Sequence, residues 1–304
     1  MRFLAVLLLI LSVSAQAKIK LAITIDDLPN HGELPKGVSR VDVAKKMLAV
    51  LKKEKIPEVY GFINAAKVKD EPLNKEVLNL WVKEGYPLAN HTYTHMDLNT
   101  NNVMDFQKEI KADEEMLIEL NGGMNYKFFR YPYLREGAEM KKRNSIRKYL
   151  AENKYQIAQV SVDFEDWSWN DPYARCVNKK DQKAIKWLGK TYQNNAVAKL
   201  KEAALMSQKL LKRDIPHILL LHIGAFDAEM LSDLIKNYRA QGVEFISLTE
   251  ASKDQVYIDD PGIAGKWGAE ILQQIRKARN LKLEDIGIER YTGYPQKELQ
   301  KICL

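Results

Sequence analysis

The feature that most constrains the fold is an alternation of short apolar segments with amphipathic ones. Six segments rich in β-branched and other apolar residues predict strands, at 19–25, 59–63, 127–131, 155–162, 217–223 and 243–247. Apolar spacings of three and four predict helices at 41–53, 74–84, 103–120, 138–152, 195–211 and 228–241. This alternation predicts an α/β fold in which a parallel sheet or barrel is surrounded by helices.

The chain is predicted to have three parts. Residues 1–17 combine Arg2, an apolar run and small residues up to Ala17, which indicates a secretory signal peptide. The apolar run has about 11 residues, fewer than the ~20 that a spanning helix needs; a retained anchor is the alternative. Residues 18–253 are expected to form the main domain, and residues 254–304 a C-terminal extension packed on it, because this tail has few apolar residues to bury.

Charge and cysteine content limit the partners. Lys and Arg number 47 against 40 acidic residues, so the chain is basic and suited to acidic partners such as cell-wall polymers or lipid head groups. It has no dense basic cluster with interleaved aromatic residues, so no nucleic-acid partner is expected, and nothing predicts a protein partner. Cys176 and Cys303 could pair in an oxidising compartment or remain independent, and they lack the spacing of a metal knuckle.

Two carboxylates and two histidines follow predicted strands, at the edge where α/β barrels build active sites. Asp26 and Asp27 end the first strand; neighbours on an extended chain point in opposite directions, so the two could serve different sites or roles. His91 and His95 are four residues apart, close enough on a helical turn to bind one ion together. Neutral imidazole is a preferred zinc ligand, and either Asp26 or Asp27 could supply a third ligand.

Three further segments carry polar or aromatic side chains after strands. One contains Arg130 and Tyr133, another runs from Asp163 to Trp169, and the last ends at His222. Each has an ordinary structural explanation: a surface arginine, a tryptophan in the core, or a histidine that only packs. Acids next to large rings also suit sugar binding, because aromatic rings stack on pyranose faces.

Taken together and in this order, the motifs resemble those of the polysaccharide deacetylase family of carbohydrate esterases. Five motifs carry the resemblance: Thr24-Ile25-Asp26-Asp27-Leu28-Pro29, His91-Thr92-Tyr93-Thr94-His95, Arg130-Tyr131-Pro132-Tyr133, Asp163-Phe164-Glu165-Asp166-Trp167 and Leu219-Leu220-Leu221-His222. The resemblance covers about residues 19–250. It implies a distorted (β/α) barrel, with the C-terminal extension outside it, and a catalytic domain at 18–253.

The resemblance also implies a role for each matched residue. Asp27, His91 and His95 would hold Zn²⁺ or another divalent transition metal. Asp26 would be the general base, oriented by Arg130, and His222 the general acid, tuned by Asp166. The Tyr133 backbone N–H would help to stabilise the oxyanion, while Trp167 and Leu220 would line the acetyl pocket. The expected enzyme is an exported, periplasmic or secreted N-deacetylase of an N-acetylated glycan polymer, with peptidoglycan ahead of chitin-type oligomers.

Two departures and two alternatives accompany this hypothesis. Leu28 and Leu134 stand where glycine is common in the family, and both are expected to bring side chains to the rim of the site. His31 is expected to be a solvent-exposed loop residue, although it could join the groove. The alternatives are a non-catalytic glycan-binding module on the same fold and a zinc amidase or peptidase of the cell wall. The absence of a His-Glu-x-x-His sequence counts against the latter.

Overall fold

The computed structural model describes residues 18–289 and 291–304, so the predicted signal peptide at 1–17 lies outside the described residues. The strands within these ranges are β1 Ile19–Leu28, β2 Tyr60–Ile63, β3 Leu88–Asn90, β4 Phe128–Phe129, β5 Gln156–Ile157, β6 His217–His222 and β7 Val243–Phe245. Neighbouring strands pair in parallel in the order β5-β4-β3-β2-β1-β6, and β7 pairs with the start of β1. The predicted parallel sheet is therefore confirmed.

Helices surround this sheet. They are α1 Arg40–Lys53, α2 Ala66–Asp70, α3 Leu73–Lys83, α4 Val103–Leu120, α5 Met140–Glu152, α6 Asn170–Asn178, α7 Gln182–Leu211, α8 Ala225–Ala240, α9 Leu248–Ala251, α10 Gln255–Ile258, α11 Ile271–Ala278 and α12 Gln296–Lys301. Helix α1 begins at a capping box between Ser39 and Asp42. Gly85 and Gly242 follow α3 and α8 with positive φ, as helix-ending glycines do. Among the described residues, no helix has the length and apolar character needed to cross a bilayer.

The sheet curls into a distorted barrel through the segment after β5. Its N-terminal part pairs with β4, where Ala158 N donates to Phe129 O at 2.8 Å. A few residues later it has crossed to β6: Ser161 N donates to Ile218 O, and Leu220 N donates to Val162 O. The segment predicted as a single strand at 155–162 therefore pairs first with β4 and then with β6. The barrel predicted from the motifs is confirmed.

The residues after 253 lie against this barrel. Ile271 N donates to Val160 O at 2.8 Å, and Gln274 hydrogen-bonds to buried Glu136. A disulfide joins Cys176, in α6, to Cys303, just after α12, which answers the question of pairing that the sequence left open. These contacts agree with an extension that packs on the barrel; the boundary at 253 remains a prediction.

Candidate active site

Parallel pairing places the motif residues together. Asp26 on β1 is the register partner of His222 on β6, and Asn90 on β3 is the partner of Phe129 on β4. His91 directly follows Asn90, and Arg130 directly follows Phe129. Since all these positions lie at the carboxyl ends of adjacent strands, they meet at one end of the barrel, as expected for a site built on βα loops.

Both neighbouring carboxylates point into this single site. Backbone pairing of β1 with β2 shifts register between Ile25 and Leu28, and Asp27 has a φ of 67°. This turn cancels the alternation of an extended chain: His91 Nε2 is 3.8 Å from Asp26 Oδ2 and 3.7 Å from Asp27 Oδ1. Opposite directions were one expectation from the sequence; instead, the two acids can serve two roles in one place.

Asp27, His91 and His95 converge on a common point. His95 Nε2 lies 3.4 Å from Asp27 Oδ1, and ligand atoms of the three residues all lie within 4.8 Å of one another. The spacing of His91 and His95 suggested a shared helical turn, but neither residue is in a helix. They meet through a loop after β3 in which Thr92 and His95 both have positive φ.

The loop that carries His91 is fixed by buried polar residues outside the five motifs. Asn64 donates to the backbone oxygens of His91 and Thr92, each at 2.9 Å. The Asp113 carboxylate accepts from Ala65 N and His91 N. Sequence reasoning missed Asn64 and Asp113, because their function depends on contacts between distant parts of the chain.

The donor set fits a divalent cation. His91 Nδ1 lies 2.7 Å from the Arg130 backbone oxygen, which can only accept, so Nδ1 carries the proton and Nε2 presents a lone pair. Burial lowers the pKa of His91 and, to a smaller extent, that of His95, which favours the neutral ligand form. Asp27 Oδ1 is buried and has no hydrogen-bond partner among the described residues, an arrangement that a cation would satisfy.

Asp26 is a buried carboxylate held by an arginine. Arg130 Nη1 lies 3.2 and 3.1 Å from its two oxygens, while Arg130 Nε donates to Ala158 O at 2.6 Å and Nη2 to Thr24 Oγ1 at 3.1 Å. Burial raises the pKa of Asp26 to about 6, with Arg130 opposing the shift. Arg130 thus contacts both oxygens of Asp26; its role in orienting a general base stays a prediction.

His222 and Asp166 form a second pair on the other side of the site. Asp166 Oδ1 lies 2.9 Å from His222 Nδ1, and Asp166 Oδ2 accepts the His222 backbone N–H at 2.6 Å. Burial alone would lower the pKa of His222, but the Asp166 carboxylate outweighs it and raises the pKa to about 10. The imidazole is therefore a proton donor at neutral pH.

The remaining predicted residues surround this centre. The Tyr133 ring lies 4.5 Å from the His95 ring, and Tyr133 has a φ of 58°. Trp167 is half-exposed in the 3₁₀ turn that begins at Asp166, and Leu220 is buried on the same strand as His222, two residues before it. Alternation along β6 puts Leu220 and His222 on one face.

Two expectations at the first motif are wrong. Leu28 does not reach the rim: it is fully buried, and its side chain occupies the space beside Gly61, where a Cβ would lie 2.6 Å from it. His31 is not a free surface residue: its Nδ1 lies 2.7 Å from Asp27 Oδ2, and its ring is 4.7 Å from that of His222. Arg40 fixes the loop by donating to the backbone oxygens of His31 and Gly32.

Lys67 is a further neighbour that the sequence analysis missed. Its ammonium donates to the Asp27 and Asn30 backbone oxygens and lies 3.8 Å from Asp27 Oδ1. Burial would raise the pKa of Asp27, but Lys67 and the hydrogen bond from His31 outweigh it, and the pKa lies well below its usual value. Asp27 is therefore ionised at neutral pH. Four of the five histidines of the chain, at positions 31, 91, 95 and 222, place a ring nitrogen near its carboxylate.

Comparisons with known proteins agree with the motifs. Residues 14–158 match the family model described as polysaccharide deacetylase. The chain is 29% identical over 150 residues to a peptidoglycan-N-acetylglucosamine deacetylase of Bacillus cereus, covering 49% of this chain and 47% of that protein. It is 28% identical over 210 residues to the peptidoglycan-N-acetylmuramic acid deacetylase of Bacillus subtilis, covering 67% and 64%. The chain therefore spans 47% and 64% of the lengths of these two relatives, less than two thirds of either.

The fold is also shared by a solved protein that is described as a pseudoenzyme. This CE4 family pseudoenzyme from Bacillus anthracis superposes with a TM-score of 0.52 at 17% identity, covering 77% of this chain and 65% of that one. At this identity the likeness concerns the fold alone. Activity therefore has to be argued from the side chains present.

Proposed function

We propose that this chain, whose residues 14–158 match the polysaccharide deacetylase family model, is a metal-dependent N-deacetylase of N-acetylated cell-wall glycans. Peptidoglycan is the favoured substrate, in line with the names of its curated relatives, and chitin-type oligomers come second. One observation carries the proposal. A buried oxygen of Asp27 that accepts no hydrogen bond within the described residues faces the imidazoles of His91 and His95, and the carboxylate of Asp26 and the imidazole of His222 lie on either side.

Asp27, His91 and His95 would hold the ion, and zinc suits a set of two imidazoles and one carboxylate. When bound, such an ion polarises an amide carbonyl and lowers the pKa of a water molecule from ~15.7 towards ~7. The remaining proton transfers and contacts with the substrate are made by residues of the chain.

Asp26 accepts the proton of the attacking water. Its pKa of about 6 leaves it ionised at neutral pH, and the two contacts from Arg130 keep its carboxylate in one orientation. The Tyr133 backbone N–H donates to the carbonyl oxygen as that oxygen gains negative charge; the loss of one such donor costs ~10²–10³ in rate in other enzymes.

His222 returns a proton to the departing sugar nitrogen. Because Asp166 binds Nδ1, the protonated Nε2 is the atom free to donate. Leu220 and Trp167 enclose the acetyl methyl group. The products are acetate and a glycan that carries a free amine.

The decisive experiment measures acetate release from N-acetylglucosamine oligomers and from peptidoglycan. We expect release by the metal-loaded protein, loss on chelation, recovery when Zn²⁺ is returned, and a loss of at least 10³-fold in Asp26→Asn with metal content unchanged. Full activity in Asp26→Asn contradicts the assigned base.

The two alternatives give different results in the same assay. Glycan binding without acetate release identifies a non-catalytic module, and the pseudoenzyme of Bacillus anthracis makes this a real alternative for the fold. Peptide fragments or free lactyl groups in place of acetate identify a zinc amidase or peptidase.

The proposed location is outside the cytoplasm, in a periplasm or in the medium. Support comes from the leader-like sequence of residues 1–17, from a disulfide between Cys176 and Cys303, and from relatives named for their action on peptidoglycan. Retention of an N-terminal epitope tag after export would contradict cleavage of the leader.

A further inference from the structure

An exposed tryptophan of the C-terminal extension lies beside the candidate active site. Trp267 is 66% exposed, the largest exposure of any ring of its size in the described chain, and it belongs to none of the five motifs. Its indole lies over the Arg135 guanidinium at 5.7 Å. The same guanidinium also lies over the Tyr133 ring at 5.0 Å.

This stack is continuous with the metal-ligand set. Tyr133 is itself half-exposed, and its ring packs edge-on against the His95 ring. Arg135 is held in place by an ion pair with Asp97, two residues after His95. Successive contacts therefore connect the site to the exposed indole, from His95 to Tyr133, Arg135 and Trp267.

The loop that presents Trp267 is anchored on both sides to segments of the site. Asn99 donates to Lys266 O at 2.8 Å, and Gly265 N donates to Gly137 O at 3.0 Å. Gly268 fits directly against Tyr133: a Cβ there would lie 1.9 Å from the Tyr133 backbone oxygen. The extension is thus positioned by the segments that carry His95 and Tyr133.

We propose that Trp267 forms a distal binding subsite for a pyranose ring of a β-linked N-acetylated glycan chain. This proposal rests on the proposed function. The apolar C–H face of a pyranose stacks on an aromatic ring, and a tryptophan held over a guanidinium loses less side-chain entropy on binding than a free one. The exposed Lys266 ammonium also lies over this ring, at 5.3 Å, and a bound sugar would displace it. Because Trp267 lies beyond Tyr133, the ring that it binds is not the one that loses its acetyl group, and the subsite selects for chain length.

The test compares oligomers of one to five N-acetylglucosamine units. In Trp267→Ala we expect the KM for the pentamer to rise about five- to tenfold, the size expected for the loss of one central aromatic contact, with kcat and the kinetics of the dimer unchanged. Trp267→Phe keeps a ring and should retain most of the affinity for the pentamer.

Ile118→Ala is the matched control. Ile118 is 62% exposed, but it lies near the end of α4, where Asn121 pairs with Leu88 at the start of β3, the edge opposite the site. Ile118→Ala should leave KM and kcat unchanged for both the dimer and the pentamer. If the ratio of the KM of Trp267→Ala to that of wild type is the same at every chain length, the proposed subsite is overturned.

Failure of the proposed function is a separate result. If the wild-type protein releases no acetate from any oligomer, isothermal titration calorimetry of pentamer binding tests the subsite instead. Weaker binding in Trp267→Ala then supports the subsite; unchanged binding, or no binding by the wild type, overturns it.

Discussion

His31 Nδ1 lies 2.7 Å from Oδ2 of Asp27, while the other oxygen of that carboxylate faces His91 and His95. The two oxygens of Asp27 thus have different partners. A hydrogen bond to the outer oxygen fixes the rotation of the carboxylate and directs Oδ1 at the proposed ion.

His31→Ala should therefore weaken metal binding about 10- to 100-fold, as losses of residues that orient a metal ligand do. Competition with a chelator of known affinity measures this directly, without an activity assay. Glu33→Gln, an exposed change in the same loop, should leave the affinity unchanged. Equal affinities in His31→Ala and wild type would show that His31 does not orient Asp27.

The pH dependence of kcat/KM should have two limbs. Asp26 must be ionised to accept a proton, and burial raises its pKa to about 6, so activity rises with pH through that region. A bound cation favours the carboxylate and moves this limb lower, so we expect it at or below pH 6. His222 must be protonated, and without a metal its pKa is about 10; a bound cation disfavours the imidazolium, so we expect the alkaline limb at or below pH 10.

Asp166→Asn tests the alkaline limb. Without the Asp166 carboxylate, burial is left to lower the pKa of His222, so the limb should move down by at least two pH units. Circular dichroism and the metal content of the variant provide the control. An unmoved alkaline limb would show that another group is the acid.

Arg130→Gln should separate catalysis from metal binding. Its guanidinium lowers the pKa of Asp26, so the variant should show an acid limb at higher pH and a kcat reduced at least tenfold. His91 depends on the backbone oxygen of residue 130, which the substitution keeps, so the zinc affinity should change less than threefold. Loss of the metal together with activity would contradict this division.

The disulfide between Cys176 and Cys303 should contribute to stability. It closes a loop with a sequence separation of 127 residues, for which the chain-entropy model gives ~4–5 kcal/mol. Urea unfolding of wild type and of the Cys176→Ser, Cys303→Ser double variant measures the difference in free energy of unfolding. A difference under ~1 kcal/mol would mean that the contacts of the extension, such as Arg175 with the Leu299 backbone oxygen, suffice without it.

The predicted helices that match best are those with strong apolar periodicity. Helix α4 was predicted at its observed bounds, Val103–Leu120, because its buried positions recur at three and four residues. The first half of α7 was missed: its buried Ala184, Leu188 and Tyr192 recur every four residues, but Gly189 and many polar residues lie between them and weaken the helical pattern. Strand β3 is only three residues long, too short for any pattern to show.

The candidate site divides in the same way. The order of the motifs selected seven residues that the fold brings together: Asp26, Asp27, His91, His95, Arg130, Asp166 and His222. His31 was misjudged because it reaches Asp27 through the turn after β1, and Lys67 was missed because it reaches Asp27 from α2, about 40 residues further along the chain. Contacts made by loop geometry leave no periodic trace in a sequence.

Residue 130 serves the site twice, through its side chain and through its main chain. Every amino acid has the same carbonyl, whereas only arginine supplies a guanidinium that contacts Asp26 through Nη1 while its other nitrogens donate to Ala158 and Thr24. In the proposed enzyme, one codon change at this position would therefore reduce turnover while the proposed metal site and the groove remain. Such a descendant would be a sugar-binding protein, reached in a single evolutionary step.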